Sequence, residues 1–261
     1  MAEAKKKIAL ISGANKGIGL ETARQLGKLG VTVILGARDL GRGEAAVAEL
    51  KKDGVDAVAV KFDVVDAADI QAAVDKIEAE YGVLDILVNN AGMSTESLGG
   101  NSTTTVSEDD LRKTFETNFF AVINVTNAFL PLLEKSEAGR IVNVSSILAS
   151  LTLHALPGSP IYDAKMFAYD SSKTALNAYT VHLAHALKDT KIKVNSAHPG
   201  WVKTDLGTDA APMDVVDGAK TEVTLATLPE DGPTGGYFHL GETLPGRYFV
   251  LFSGWYRGMI F

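Results

Sequence analysis

The sequence of 261 residues contains no cysteine. Disulfide bonds, thiolate nucleophiles and zinc sites built on cysteine are therefore excluded, while the cellular compartment is left undecided. The apolar runs also fall short of the roughly 18 residues that a membrane-spanning helix needs, so no membrane partner is expected. The basic start, MAEAKKK, leads into an apolar run that Ser12 and Gly13 interrupt. It does not match a secretion signal, and a cytoplasmic protein is the expectation.

The chain also has no excess of positive charge. The chain has 25 lysine and arginine residues against 32 acidic residues, which gives a formal net charge of −7. This balance argues against a nucleic-acid partner. His182 and His185 lie three positions apart, but no accompanying carboxylate or third histidine is evident. The sequence therefore predicts no metal site.

A hydrophobic content of 46% is enough for one sizeable core. Short apolar runs alternate with stretches of helical periodicity, which is typical of βαβ units. We therefore predict a single-domain α/β fold of Rossmann type over residues 1–261, with a doubly wound parallel sheet and helices on both faces. The six predicted strands are KIALIS, VTVILGA, AVAVKFD, LDILVNN, GRIVNVSS and IKVNSAH. The predicted helices include GEAAVAELKKD, AADIQAAVDKIEAEY and EDDLRKTFETNFFAVINVTNAFLPLL.

The first predicted strand runs directly into a glycine-rich turn. Gly13, Gly17 and Gly19 lie in this turn, and a helical pattern begins at once. Glycine lets the backbone turn tightly and approach a ligand without a Cβ in the way. The free N–H groups and the positive dipole end of the following helix suit a pyrophosphate. This strand, turn and helix at the start of an alternating chain predict a dinucleotide site.

Tyr169 and Lys173 lie four positions apart in a stretch that reads as one long helix. The spacing places both side chains on one helix face, one turn apart. An ammonium beside a phenol lowers the tyrosine pKa from about 10 toward working pH. The same spacing also occurs on ordinary solvated helix faces, so the pair alone leaves both interpretations open.

These features occur in an order that resembles the short-chain dehydrogenase/reductase family. The glycine turn resembles the family's TGxxxGxG loop, with Ser12 where threonine is commoner. The family's further signatures follow in sequence: Asn89-Asn90-Ala91-Gly92, Asn118 in FETNFF, Ser145-Ser146 after IVNV, Tyr169 with Lys173, and Pro199-Gly200-Trp201-Val202-Lys203-Thr204. The likeness covers residues 7–246. The segments PGWVKTDL, ARD and ATLPEDGPTGGYF are most similar to the carbonyl-reductase-type branch.

The resemblance implies a catalytic set of Asn118, Ser146, Tyr169 and Lys173. Tyr169 would supply a proton to the substrate oxygen, and Ser146 would orient the carbonyl. Lys173 would bind the nicotinamide ribose and lower the pKa of Tyr169. Asn118 would hold a water molecule that reconnects Lys173 to solvent.

Two neighbours compete for these roles. Ser145 competes with Ser146, but the family's spacing from the serine to a small residue fits Ser146. Tyr162 competes with Tyr169, but Met166 stands four positions after it, where the pattern requires lysine. His198, at the end of a predicted strand, is interpreted as structural.

The resemblance also implies a nicotinamide dinucleotide, with NADPH and NADP⁺ preferred over NADH. Arg38 is the first charged residue after the second predicted strand, and its guanidinium suits a 2′-phosphate. Lys16 adds a second cation within the glycine loop. Asp39 is the alternative, because a shift of one residue would place a carboxylate at the ribose. The residues assigned to cofactor binding are Gly13, Asn15, Lys16, Gly17, Ile18, Gly19, Arg38, Asp63, Val64, Asn90, Ala91, Gly92, Tyr169, Lys173, Pro199, Gly200, Val202 and Thr204.

The implied function is the NADPH-dependent reduction of ketones and aldehydes, with a small-molecule carbonyl substrate. One alternative is an NAD-dependent alcohol, sugar or steroid dehydrogenase of the same fold. The other is a catalytically silent nucleotide-binding module.

Two segments depart from the family pattern. The insertion 147–168 is longer than in most members, and its apolar residues would line the substrate pocket or cover a subunit interface. The oligomeric state is therefore open, with a homo-oligomer (dimer or tetramer) favoured. The aromatic tail 247–261 matches no family motif and is expected to pack on a neighbouring subunit or over the pocket mouth.

Overall fold

The computed structural model describes residues 6–96, 100 and 103–246, so the aromatic tail lies outside the described residues. The strands of this part of the chain are β1 Ile8–Ser12, β2 Thr32–Ala37, β3 Ala57–Lys61, β4 Ile86–Asn89, β5 Arg140–Val144, β6 Lys193–Ala197, β7 Tyr237–His239 and β8 Glu242–Thr243. They form one sheet in the order β3-β2-β1-β4-β5-β6-β7-β8. Neighbours pair in parallel from β3 to β7, and β8 is antiparallel to β7.

Helices connect the strands. Their bounds are α1 Gly17–Lys28, α2 Leu40–Lys52, α3 Ala67–Tyr81, α4 Glu108–Phe115, α5 Ala121–Leu133, α6 Leu151–Ala155, α7 Phe167–Ala186, α8 Val215–Gly218 and α9 Lys220–Ala226. A one-turn π-helix, Glu116–Phe120, joins α4 to α5, and a 3₁₀ turn, Ile147–Ala149, precedes α6.

The core has two layers, one on each face of the sheet. Successive residues of a strand point to opposite faces, so Ile8 and Leu10 belong to one layer and Ala9 and Ile11 to the other. The first layer contains the apolar faces of α3, α5 and α7. The second contains those of α1, α2 and α9. Both faces of the parallel strands are thus covered, which explains their nearly continuous apolar sequences.

This arrangement confirms the predicted doubly wound α/β fold. All six predicted strands are present, and the predicted helix AADIQAAVDKIEAEY coincides with α3. The antiparallel β8 and the short β7 were not predicted, because strands of two and three residues show no measurable periodicity. The predicted helix over 108–133 is continuous only in part, since the π-helix interrupts it. None of the described helices is long and apolar enough to cross a membrane.

Candidate active site

The predicted site residues meet at the carboxyl edge of the sheet. The strand order reverses between β1 and β4, and ligands of open α/β sheets bind in the crevice outside such a switch point. The glycine turn follows β1, and Arg38 follows β2. Asp63 lies two residues beyond β3, and Asn90 immediately after β4. Ser146 and Pro199 each lie two residues beyond the end of a strand, β5 and β6 respectively.

The glycine turn is tied to the end of β4 through Ser12. Its hydroxyl oxygen accepts hydrogen bonds from the backbone N–H groups of Asn90 and Ala91, both at 3.0 Å. The Asn90 side chain donates in return to the carbonyls of Ser12 at 2.8 Å and Gly13 at 3.3 Å. The Asn90 amide, which the sequence predicts to bind the cofactor, therefore stabilises the conformation of the glycine turn.

Two glycines in the turn are required by the geometry. Gly13 has a φ of +64°, in the left-handed region that favours glycine. A Cβ on Gly19 would lie 2.4 Å from Asn90 Nδ2 and 2.9 Å from the Gly13 carbonyl oxygen. The N-terminus of α1, which begins at Gly17, has no capping side chain. Its backbone N–H groups are thus available to an anionic ligand, and the turn fits a dinucleotide pyrophosphate.

The loop after β6 approaches the same turn. A Cβ on Gly17 would lie 3.5 Å from Thr204 Cγ2, which places Thr204 beside the predicted pyrophosphate site. Lys16 forms an ion pair with Asp205, and both side chains are largely exposed, at 62% and 82%. The sequence did not predict this ion pair with Asp205. It predicted that the charge of Lys16 would face a cofactor phosphate.

Arg38 and Asp39 have different surroundings. Asp39 is the N-cap of α2, and its carboxylate accepts a hydrogen bond from the Arg42 backbone N–H at 3.0 Å. Arg38 is exposed and makes no ion pair with the described residues. The Arg42 guanidinium, 4.0 Å from Asp39, lies in the first turn of α2 and was missed in the sequence. The RDxxR spacing of residues 38–42 could have indicated it, because this spacing places a second arginine near the end of β2.

At the end of β3, Asp63 is half-buried and accepts a hydrogen bond from the Val65 backbone N–H at 3.2 Å. Val64 is buried. Both residues, which the sequence predicts to bind the cofactor, lie on the same side of the switch point as Arg38.

Tyr169 and Lys173 are both buried near the amino-terminal end of α7. Lys173 Nζ lies 5.8 Å from the centroid of the Tyr169 ring and donates a hydrogen bond to the Val144 carbonyl at 2.7 Å. Their spacing therefore marks a buried pair and not a solvated helix face. The lysine is fixed to the end of β5, beside Ser146.

The expected lowering of the Tyr169 pKa is not found. Burial raises the pKa of Tyr169 to about 12, although a hydrogen bond with Ser146 acts in the opposite direction. Burial also lowers the pKa of Lys173 to about 8, while the charge of Glu222 partly opposes this change. The expectation was wrong because it counted the neighbouring ammonium and left out the cost of burying a phenolate. At neutral pH, Tyr169 is therefore a protonated phenol.

The two candidate serines differ clearly. The Ser146 side chain interacts with Tyr169 and also accepts a hydrogen bond from the Leu148 backbone N–H at 3.2 Å. The Ser145 hydroxyl is buried and has no hydrogen-bond partner among the described residues. The geometry thus favours Ser146 over Ser145. Tyr162 is exposed, which leaves Tyr169 as the buried tyrosine of the two.

Asn118 lies in the middle of the π-helix and is fully buried. Its Oδ1 accepts from the Met93 N–H at 2.9 Å, and its Nδ2 donates to the Met93 carbonyl at 2.8 Å. Nδ2 also donates to Ser172 Oγ at 3.1 Å, which connects the π-helix to α7. Single-turn π-helices within α-helices are frequent at functional sites.

Gly92 separates Asn118 from Lys173. A Cβ added to Gly92 would lie 3.3 Å from Lys173 Nζ and 3.4 Å from Asn118 Oδ1. Any larger residue would fill the space between these two polar groups. Asn118, Ser146, Tyr169 and Lys173 thus come together around the ends of β4 and β5.

The turn after β6 completes this edge. Gly200 has a φ of +102°, and a Cβ there would lie 2.7 Å from Met213 Sδ. Val202 is buried and pairs through its backbone with Met213. His198 Nδ1 accepts from the Gly200 N–H at 3.3 Å, in agreement with its structural interpretation. His182 and His185 are exposed on α7, away from this turn.

The insertion carries large apolar side chains on its surface. Leu151, Leu156 and Phe167 are exposed, whereas Met166 is buried. Exposed apolar residues of this kind suit either a pocket wall or a subunit interface, so the predicted homo-oligomer stays a prediction.

A fold of this topology, with a glycine turn at the switch point and a buried Tyr-Lys-Ser-Asn group, defines a nucleotide-dependent oxidoreductase. The chain belongs to the short-chain dehydrogenase family, whose model, described as "short chain dehydrogenase", matches residues 7–214. The protein is therefore an oxidoreductase of this family.

The chain is similar to several named relatives. It is 34% identical to short-chain dehydrogenase/reductase 1 of Saponaria officinalis, over 93% of this chain and 97% of that protein. It is 33% identical to human carbonyl reductase [NADPH] 1, over 88% of this chain and 95% of that protein. Among solved structures, salutaridine reductase from Papaver somniferum shares 30% identity with a TM-score of 0.78, covering 89% of this chain and 99% of that one. An NADPH-bound carbonyl reductase from chicken fatty liver shares 26% identity with a TM-score of 0.80, covering 92% and 99%.

Proposed function

We propose that this protein is an NADPH-dependent reductase of ketones and aldehydes, with Tyr169 as the general acid. The observation that carries the proposal is the buried Tyr169 phenol, in contact with Ser146 and one turn from Lys173. A phenol whose pKa lies near 12 keeps its proton at neutral pH, which is the state required of a proton donor.

The reaction builds negative charge on the carbonyl oxygen. Hydrogen-bond donors fixed around that oxygen lower the barrier, because they need not reorganise as the charge develops. Tyr169 and Ser146 supply two such donors from the start of α7 and the end of β5. The proton then passes from Tyr169 to the alkoxide, and the buried Lys173 ammonium stabilises the phenolate left behind.

Replacement of the Tyr169 proton requires a route to solvent. Lys173 lies beside Tyr169, and the space next to Gly92 separates Lys173 from Asn118. A water molecule in that space would connect the lysine ammonium to the Asn118 amide oxygen. The π-helix holds Asn118 for this role, because its amide is fixed to both Met93 and α7.

The glycine turn, the uncapped start of α1 and Thr204 would hold the cofactor pyrophosphate. When bound, the cofactor supplies the hydride. The ends of β2 and β3 would hold the adenosine side, with Asp63 and Val64 beside the adenine. Asn90 would act indirectly, by supporting the glycine turn.

The preference for NADPH rests on Arg38. The Asp39 carboxylate caps α2, so the position that would favour NAD is already engaged with the backbone. Arg38 and Arg42 leave two guanidinium groups beside the end of β2, where a 2′-phosphate would lie. The human relative named carbonyl reductase [NADPH] 1 agrees with this assignment.

Parallel assays with NADPH and NADH test the function. The wild-type protein, Tyr169→Phe and the matched control Tyr162→Phe are compared by loss of nicotinamide absorbance against aryl ketones, ketoesters, aldehydes and cyclic terpenoid ketones. The relative named (+)-neomenthol dehydrogenase motivates the last group. We expect turnover that prefers NADPH and falls by at least roughly a thousandfold in Tyr169→Phe, since that variant loses the acid.

Arg38→Asp addresses the cofactor preference separately. It should reduce the ratio of kcat/KM for NADPH to that for NADH by roughly 10- to 100-fold, because one charged hydrogen-bonding partner of the phosphate is lost. A wild-type preference for NADH would favour the dehydrogenase alternative. Tight NADPH binding without any turnover, in wild type and variants alike, would favour the silent module.

A further inference from the structure

The peptide unit that follows Ser146 is held from both sides by side chains from the last third of the chain. The Tyr237 hydroxyl donates a hydrogen bond to the Ser146 carbonyl oxygen. The Ile147 N–H, on the same peptide unit, donates to His198 Nδ1 at 3.1 Å. Tyr237 and His198 are both more than nine-tenths buried, at 7% and 6% exposure.

Both side chains lie on well-anchored backbone. His198 directly follows β6, and its N–H donates to the Phe238 carbonyl at 2.8 Å. Tyr237 begins β7 and is paired with Ser196 in the parallel register. The His239 ring, 4.7 Å from the His198 ring, bonds to the His198 carbonyl at 2.9 Å. The sheet therefore fixes the relative position of the two side chains.

The Nδ1 atom of His198 can act only as an acceptor in this arrangement. Its Nδ1 receives the N–H groups of both Ile147 and Gly200, so this nitrogen carries no proton. Burial and the neighbouring His239 lower the pKa of His198 to about 3, which keeps the ring neutral. The same nitrogen thus couples the loop after β5 to the turn after β6.

Ser146 depends on this peptide for its orientation. It is the residue before a 3₁₀ turn, in extended conformation with φ −154° and ψ 152°. Rotation of the 146–147 peptide changes ψ of Ser146. It thereby changes the position of the 3₁₀ turn relative to the serine. The Ser146 hydroxyl is also bonded to the Leu148 N–H in that turn, so a movement of the turn would displace it.

We propose that Tyr237 and His198 are positioning residues, which hold the Ser146–Ile147 peptide so that the Ser146 hydroxyl faces the substrate oxygen beside Tyr169. This inference rests on the proposed function, and it adds two residues that contact the backbone of the Ser146–Ile147 peptide. Tyr237 acts through the carbonyl, and His198 acts through the N–H. Loss of either leaves a buried polar group of that peptide without a partner.

A double-mutant cycle tests whether Tyr237 acts through Ser146. Tyr237→Phe removes one oxygen atom and should lower kcat about tenfold, because small misplacements of a catalytic group are costly. Ser146→Ala should lower kcat roughly a hundredfold. In the Ser146→Ala background, Tyr237→Phe should have almost no further effect. The KM for NADPH should stay within about twofold in every variant.

Tyr81→Phe is the matched control, since Tyr81 ends α3 at the opposite edge of the sheet. It should leave kcat unchanged. An equal loss from Tyr237→Phe in both backgrounds would show a general packing effect and overturn the proposal. An unchanged kcat in Tyr237→Phe would overturn it as well.

His198 provides an independent pair of variants. The Oδ1 of His198→Asn can occupy the place of Nδ1 and accept the Ile147 N–H, whereas His198→Leu has no acceptor. We expect the asparagine variant to retain most of the wild-type kcat and the leucine variant to lose about tenfold. Equal kcat in the two variants, both folded by circular dichroism, contradicts the acceptor role.

Hydrogen exchange of the Ile147 amide, followed by NMR, separates this inference from the proposed function. The amide should be protected in wild type and Tyr81→Phe, and should exchange faster in Tyr237→Phe and His198→Leu. If the two variants exchange faster but the wild-type protein has no reductase activity, Tyr237 and His198 hold the peptide and the proposed function is refuted. Unchanged exchange in Tyr237→Phe would refute the positioning role, whatever the activity.

Discussion

Asp170, the neighbour of Tyr169, should make the stability of the protein depend on pH. It is buried in the first turn of α7, and its Oδ2 accepts a hydrogen bond from the Met166 N–H at 3.0 Å. Glu96, also buried, accepts from the Tyr169 N–H at 3.1 Å. The oxygens Asp170 Oδ1 and Glu96 Oε1 are buried and have no hydrogen-bond partner among the described residues. Two carboxylates therefore share the amino-terminal end of one helix.

The charges around Asp170 do not compensate for this burial. Burial raises the pKa of Asp170 from 3.8 to about 7, and the charge of Glu96 adds to the increase. His154 Nε2 lies 3.3 Å from Asp170, but burial lowers the pKa of His154. Lys165 donates to His154 Nδ1 at 2.9 Å, which also favours a neutral ring. Lys165 itself only partly offsets the increase in the Asp170 pKa.

The direction of the pH effect follows from these values. The folded pKa lies above the unfolded value, so between about pH 4 and 7 the unfolded chain loses a proton that the folded protein keeps. Rising pH therefore lowers the free energy of unfolding through this group, and falling pH restores it. Between pH 5 and pH 8 the loss amounts to about 2 to 3 kcal/mol.

Asp170→Asn should remove this loss, because an amide cannot ionise and still accepts the Met166 N–H. Relative to wild type, its Tm should rise more at pH 8 than at pH 5, by roughly 5 to 10 °C. Thermal unfolding followed by circular dichroism at both pH values measures the difference. Asp163→Asn is the control, since it makes the same change of charge at an exposed position of the same segment. An equal gain at both pH values, or an equal gain in the control, would refute the reasoning.

Two further predictions concern the site itself. Turnover in the reductive direction should decline as the pH rises through about 8, where the buried Lys173 loses its charge, while Tyr169 stays protonated; a pH profile of kcat that is flat up to about pH 10 would contradict this. Gly19→Ala should weaken NADPH binding by at least about tenfold, because its Cβ would overlap Asn90 Nδ2 at 2.4 Å and displace the glycine turn. Fluorescence titration measures the affinity, and Gly246→Ala, at an open position, should bind like wild type.

The parts of the site that the sequence revealed are those with a local pattern. The glycine turn shows itself by spacing, since its glycines, the preceding strand and the following helix are contiguous. Tyr169 and Lys173 are one helical turn apart, so their spacing already places them on one face. Ser146 lies two residues after the end of an apolar strand. In each case the three-dimensional relation is set by a few consecutive residues.

The direction in which the Tyr169 pKa shifts could not be predicted from a local pattern. The sequence shows the ammonium four positions away, but burial depends on the elements packed around α7. The α7 helix contacts β6, α4, the 3₁₀ turn and the π-helix, and both Tyr169 and Lys173 are buried. Desolvation then opposes the charge on both groups, and it outweighs the Ser146 hydrogen bond at Tyr169 and the charge of Glu222 at Lys173.

Asn118 shows a second kind of limit. The segment 108–133 has helical periodicity from end to end, and nothing in ETNFF indicates a π-helix. The wider turn inserts one residue into the helix, and each residue of an α-helix advances the direction of the side chains by about 100°. Because the turn lies between α4 and α5, it changes the angular relation between their faces. It thereby allows α5 to pack into the core while Asn118 faces Met93 and Ser172. A regular helix over the same residues would turn Asn118 by about 100° relative to the apolar face of α5. The π-helix therefore accompanies a buried polar residue beside a well-packed helix. The pattern of apolar residues carries no information about that polar residue's contacts, so it could not reveal the π-helix.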